Sequence, residues 1–225
     1  MNFDKINSWA KINLSLNVIK KLSNKYHRIE SLITFVQLAD EIKIRQIISN
    51  KNKISFTGKF SKGIGKNNTV YKLLNLLEQK NIIKNKKFEI IIKKNIPQKS
   101  GMGGGSMNAA NLLKYFIKNR IEKISNKKAY ELAYKIGSDV PLGLKKKNSI
   151  LLKNNKIIRL TNSINLYVLI IKPSISCSTK KIYNSVKKYS KSVYTKNSKF
   201  YLKTNNLVKL VNDLEGIVFQ KYPKI

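Results

Sequence analysis

Residues 10–18, AKINLSLNV, alternate between apolar and polar positions. Ile12, Leu14, Leu16 and Val18 fall on one side, Lys11, Asn13, Ser15 and Asn17 on the other. That two-residue period predicts a strand with one buried face. Further apolar runs predict strands at about 29–37, 41–47 and 53–57. The period then changes. In TVYKLLNLLEQ (69–79) the apolar residues recur at helical spacing, and Asn68 stands where an N-cap belongs. FEIIIKKNI (88–96) reads as a strand that stops at Pro97. Glycines fill 101 and 103–105, and a helix is expected from near Ser106, burying Ala109, Ala110, Leu113, Phe116 and Ile117.

Ser125 can cap another helix through Ile136, with Gly137 in the position expected of a C-terminal glycine. SILLK (149–153) and KIIRL (156–160) read as a hairpin turning at Asn154 and Asn155. NLYVLIIK (165–172) reads as a buried strand stopped by Pro173. Residues 179–188 and 205–220 look helical, and the Lys/Ser-rich stretch 184–199 is expected to loop over the surface. Strands and helices are intermixed, so the predicted class is α+β. The strand run restarts after a polar turn near 160, which suggests an N-terminal domain over 1–160 and a second over 161–225.

At 225 residues and 42% hydrophobic, the chain can bury a real core. The net charge of +35 would suit a nucleic-acid partner. However, arginine, which reads bases bidentately, occurs only at 28, 45, 120 and 159. Lysine, asparagine and isoleucine are abundant throughout, as in the product of an AT-rich genome. A solvated cationic surface therefore stands ahead of a nucleic-acid-binding face, and such a surface would attract phosphorylated substrates. Cys177 and His27 are the only cysteine and histidine, so neither an intrachain disulfide nor a His/Cys zinc site can form. With no apolar run of spanning length and no secretory leader in MNFDKINSW, a cytoplasmic location without membrane contact is expected.

Four places carry candidate chemistry. Pro97-Gln-Lys-Ser-Gly101-Met-Gly103-Gly104-Gly105-Ser106 lies between a strand and a helix. Its glycines permit positive φ and close backbone approach, and its amides with the helix N-terminus suit phosphate. It is neither a Walker A loop nor a dinucleotide-binding fingerprint. Asp139, between Gly137-Ser138 and Val140-Pro141, sits on a stiff turn, where it could take a proton from a hydroxyl or simply bond its own turn. Lys11, beside Asn13 on the first strand, could keep a carboxylate ionised and steady a phosphoryl group, or be one more surface lysine. Tyr26-His27 could present a ring and a hydrogen-bonding edge to a base, or be an exposed aromatic pair.

In family order, AKINLSLNV (10–18), KYHRIESLITFVQLADEI (25–42), NNTVYKLLNLL (67–77), IPQKSGMGGGSMNAANLL (96–113), GSDVPL (137–142) and NDLEGIVFQKYP (212–223) resemble segments of the GHMP kinase superfamily. YHRIESL with ADEI resembles the members that act in the non-mevalonate isoprenoid pathway. The resemblance implies a two-domain fold, with an N-terminal domain like the second domain of ribosomal protein S5 and a C-terminal α/β sandwich. It implies transfer of the ATP γ-phosphoryl group, with Mg²⁺, to the 2-hydroxyl of a cytidine-diphosphate methylerythritol. Asp139 would be the base and Lys11 its partner. Pro97, Gly101, Gly103, Gly104, Gly105 and Ser106 would hold the triphosphate, with Asn68 on a nucleotide-pocket position. Asn13 would contact the methylerythritol, Tyr26 and His27 the cytosine, and Tyr183 its other face. No residue is assigned to a metal, and a monomer or homodimer is expected. The chain departs from the pattern at Trp9, where proline is usual, and at Met107. The family's second glycine-rich loop does not follow Lys224-Ile225, so a C-terminally shortened member with an incomplete second domain is expected. Another small-alcohol kinase such as a homoserine kinase, an inactive remnant, and a basic nucleic-acid-binding protein are the alternative readings.

Overall fold

A computed structural model describes residues 2–23, 26–119, 124–161, 166–175, 177–195 and 204–224. The chain divides into two compact units. The first comprises 1–10, 36–98 and 102–146; the second comprises 11–35, 99–101 and 147–225.

The chain opens with β1 (Asp4–Asn13) and β2 (Asn17–Lys21), so the alternating segment is two strands separated by a bend at Leu14. The strands expected at 29–37 and 41–47 are one, β3 (His27–Ile47), of 21 residues. Its C-terminal half lies in the first unit. There Glu41–Ile47 pair antiparallel with β5 (Lys87–Lys93), and β4 (Lys53–Thr57) runs parallel on the other side of β5. Ile42, Ile44, Phe88, Ile90 and Ile92 form the buried sheet face.

Against that face pack α1 (Thr69–Gln79), α2 (Gly104–Lys118) and α3 (Asn126–Ile136), through Leu73, Leu77, Leu112, Leu113, Phe116 and Leu132. Asn68 caps α1 as its spacing predicts. Its Oδ1 accepts from the amides of Val70 at 2.9 Å and Tyr71 at 3.2 Å. Ser125 likewise caps α3. Gly137 does end that helix, but with φ of 177°, an extended conformation open to any residue. A short α4 (Val140–Gly143) follows and lies on α2. A Cβ added at Gly143 would stand 2.6 Å from the Ala110 Cβ and 2.9 Å from the Met107 sulfur. Only a residue without a side chain lets these helices approach so closely.

In the second unit, the N-terminal half of β3 pairs with β2 and with β6 (Ser149–Leu151), which forms the predicted hairpin with β7 (Ile157–Arg159). Asn155 takes the left-handed turn position, with φ of 62°. The core is Leu32, Ile150, Leu152, Leu160 and Tyr194.

Three expectations fail in this unit. Residues 166–172 form no strand, and Leu166–Ile171 are exposed; residue 165 lies outside the description. An apolar run becomes a buried strand only when a neighbour takes up its backbone hydrogen bonds, and none of the described residues does so here. The helix expected over 205–220 is broken into α6 (Thr204–Leu207) and α7 (Glu215–Lys221). Between them the chain joins the edge at Leu16. The Leu16 amide donates to the Val211 carbonyl at 3.0 Å, and the Asp213 amide donates to the Leu16 carbonyl at 2.9 Å. A free strand edge outcompetes helical propensity for these groups. The helix expected at 179–188 is only α5 (Thr179–Tyr183).

The described part of 184–199 runs irregularly and mostly exposed, as expected, but it is pinned at one end. Ser192 and the Val193 amide bond the buried carboxylate of Glu30 at 2.6 and 3.0 Å, and Tyr194 is buried. Residues 196–199 lie outside the description. No helix of the described residues is long and apolar enough to cross a membrane.

Gly143→Ala is expected to destabilise the protein by about 1–3 kcal/mol, the usual cost of overpacking, measured as a lowered urea midpoint. An unchanged midpoint would mean that α4 is not held against α2 as described.

Candidate active site

The loop between β5 and α2 is the most specialised backbone in the first unit. Gly103 caps α2 with φ of 68° and ψ of 14°, a left-handed conformation in which a Cβ is strained. Gly101 has φ of 74°. Gly103 has no side chain to bond the first amides of the 15-residue helix, so those amides and the positive end of the dipole remain available to an anion. Gly101 and Gly105 are exposed, Gly103, Gly104 and Ser106 half-buried, and Pro97 buried at the root of the loop. The Thr69 hydroxyl donates to the Gly105 carbonyl at 2.6 Å, tying the start of α1 to the loop. Asn68 is thereby placed beside it.

Beneath the loop lies a buried polar cluster. Lys94 and Asp40 form an ion pair, 5% and 0% exposed. Asp40 Oδ1 accepts from the amides of Asn95 and Ile96, each at 2.8 Å, and Oδ2 accepts from Asn108 Nδ2 at 2.9 Å. The Lys94 Nζ lies 3.2 Å from where a Cβ on Gly104 would stand.

Asp139 occupies the N-cap position of α4 at αR angles, and its carboxylate makes no capping bond to that turn. Asp139, Asn68, Pro97 and Gly103–Ser106 all belong to the first unit.

Lys11, Asn13, Tyr26, His27 and Tyr183 belong to the second unit, as does Gly101. Lys11 is buried, unlike an ordinary surface lysine, and its Nζ donates to Asn13 Oδ1 at 3.1 Å. The His27 and Tyr183 rings lie 5.2 Å apart between centroids and are tilted by 32°. That is direct contact, with no room for a base between those two rings. Tyr26 is 72% exposed. The His27 Nε2 is buried and meets no hydrogen-bond partner among the described residues. Burial, then the charge of Lys21, holds its pKa below the ordinary 6.5, so the ring is neutral at pH 7.

Sequence reasoning missed Asp40, Lys94, Asn108 and Thr69. The signals for Asp40 were its place in the ADEI segment of the resemblance and its apolar neighbours Leu38, Ala39 and Ile42, among which a buried carboxylate must find donors. Nothing in the sequence set Lys94 apart from the other lysines.

This fold, with a glycine loop leading into α2, defines a GHMP kinase: residues 68–145 match the family of GHMP kinases N terminal domains. The chain is 47% identical over its full 225 residues to a 4-diphosphocytidyl-2-C-methyl-D-erythritol kinase of Pelagibacter ubique, covering 80% of that protein. It is 31% identical over 217 residues to the enzyme of that name from Francisella tularensis, covering 96% of this chain and 77% of the relative. The chain belongs to the 4-diphosphocytidyl-2-C-methyl-D-erythritol kinase family. A crystal structure of a 4-(cytidine 5'-diphospho)-2C-methyl-D-erythritol kinase shares the fold, with a TM-score of 0.75 at 22% identity over 98% of this chain and 79% of the other. A homoserine kinase from Cytophaga hutchinsonii has a TM-score of 0.58 at 18% identity, over 84% of this chain and 62% of the other.

Since His27 is the only histidine, its ring resonance can be followed by NMR without assignment. Its midpoint is expected below 6.5. The unfolded chain then binds the proton first. This ring's contribution to stability is therefore full well above pH 6.5 and is lost as pH drops from there towards the lower folded value. A midpoint at or above the ordinary value would contradict the burial of this ring.

Proposed function

We propose that this chain transfers the γ-phosphoryl group of ATP to the 2-hydroxyl of 4-diphosphocytidyl-2-C-methyl-D-erythritol, in the cytoplasm. The observation that carries the reading is the glycine-capped N-terminus of α2, with left-handed Gly103 and open amides. The sequence likeness to kinases of this name adds the acceptor.

The loop amides hold the triphosphate, and Ser106 adds a hydroxyl. Asp139 takes the proton as the acceptor oxygen attacks the γ-phosphorus and the bond to the β-phosphate oxygen breaks, releasing ADP. Lys11 supplies positive charge to the transferring group. Such a reaction needs positioning and charge neutralisation more than covalent help.

Mg²⁺ commonly arrives with the nucleotide and needs few protein ligands. Among the described residues no three His, Cys, Asp or Glu side chains cluster to hold a metal, a donor set that suits an ion carried by phosphates. Ser106 would be its protein ligand, and the ion would offset phosphate charge. On the acceptor side, the exposed Tyr26 ring suits stacking on cytosine, and the unpartnered Nε2 of neutral His27 suits the base edge. Tyr183, in contact with His27, would border the base.

Asp139→Asn is expected to lower kcat by roughly 10²–10⁴-fold, the range for a positioned base, with ATP affinity nearly unchanged. Near-normal turnover would remove Asp139 from the mechanism. His27→Ala is expected to raise the KM for the cytidylyl acceptor by about 10-fold, the order of one lost hydrogen bond in a base pocket, while leaving the KM for ATP alone. Equal rises in both constants would refute the cytosine assignment.

A further inference from the structure

We infer that Asp40 is a positioning residue of the phosphoryl-transfer reaction: its one carboxylate ties the chain entering the glycine loop to the helix leaving it. This inference rests on reading the loop as the nucleotide cradle.

The anchorage is specific. Oδ1 takes the amides of Asn95 and Ile96, the last residues before Pro97, each at 2.8 Å. Oδ2 takes Asn108 Nδ2, in the second turn of α2, at 2.9 Å. Both ends of the ten-residue segment from Pro97 to Ser106 thus hang on one fully buried group. The Lys94 ammonium, against Gly104, balances its charge.

An anion cradle made of backbone amides depends on those amides pointing at one place before the ligand arrives, because ordering a glycine-rich segment on binding costs affinity. Within the loop, Gln98 Nε2 donates to the carbonyls of Phe60 and Lys62 at 2.8 and 2.9 Å, and the Thr69 hydroxyl holds the Gly105 carbonyl at 2.6 Å. Gly101 and Gly105 are exposed, and a Cβ on Gly101 would meet nothing within 4 Å. The Gln98 and Thr69 ties each hold the loop at one point; Asp40 bonds the chain on both sides of it.

Asn108 Oδ1 is buried without a partner among the described residues, which gives the proposal a rescue test. In Asp40→Ala every tie is cut. In Asp40→Asn the new Oδ1 can keep both backbone amides, while its Nδ2 can donate to Asn108 Oδ1 once that amide turns over. The ties to the backbone and to Asn108 persist, while the bond to Lys94 is lost and its ammonium is left without a counter-ion, as it also is in Asp40→Ala. The experiment measures steady-state constants for both substrates, together with hydrogen exchange of the loop amides, in the full chain.

Asp40→Ala is expected to raise the KM for ATP by about 10–100-fold, the scale of hydrogen bonds to a charged group, with the KM for the acceptor unchanged within about twofold. Exchange at 98–107 should rise while that of α3 does not. Asp40→Asn should recover part of both effects, the part that the backbone and Asn108 ties supply. Should Asp40→Ala not fold, Asn108→Ala cuts the exit tie alone and should raise the KM for ATP by about 3–10-fold, as for one neutral-donor bond. Unchanged loop exchange in the folded variants would overturn the proposal. So would parallel rises in both KM values, or an Asp40→Asn enzyme as impaired as Asp40→Ala. Wild-type chain that neither binds nor uses ATP would instead defeat the functional reading, and the exchange data would still decide whether Asp40 orders the loop.

Discussion

A buried carboxylate must be surrounded by donors or it will not stay buried, and Asp40 meets that demand with two backbone amides, an amide side chain and an ammonium. Satisfying it dictates much of the first unit. The strand β5 must end where its last amides can turn to the carboxylate. The helix α2 must begin where Asn108 reaches the same group. What lies between can only be a short, tightly turned loop, and its glycines are the residues that can make that turn. Removing only one partner of such a cluster is far more damaging than replacing the whole cluster with apolar groups.

The helices carry the same logic outward. Thr69 links α1 to the loop, and Gly143 brings α4 onto α2 at Ala110 and Met107. Asp139 stands at the start of α4, so the close approach at Gly143 sets where that carboxylate can be relative to α2. The second unit uses a comparable device. Glu30, fully buried, bonds Ser192 and the amide of Val193, and so draws a polar, lysine-rich segment onto β3. In a chain with a net charge of +35, two of its eleven acidic side chains organise the packing of one unit each.

Much of the fold was legible because local rules and packing agree. Asn68 and Ser125 cap helices where their spacing says they should, and Asn155 turns the hairpin. The glycine loop before α2 was legible for a related reason: left-handed backbone and a bare helix start are local properties. The candidates Asp139 and Lys11 were weaker, because each is an ordinary residue type whose meaning depends on its surroundings. Lys11 is buried, and Asp139 opens α4, both placements that only the fold decides.

By itself, the sequence determined the α+β class, the helix caps, the glycine turn before α2 and the likeness to GHMP kinases, since each rests on contacts within a few residues or on motif order. Tertiary structure decided the rest. It merged two strands into the 21-residue β3, and it broke the 205–220 helix at the edge offered by Leu16. It left Leu166–Ile171 exposed, and it chose Asp40 and Lys94 from among many charged residues. Hydrogen-bond partners far apart in sequence settle such matters, and no window along the chain contains both of them.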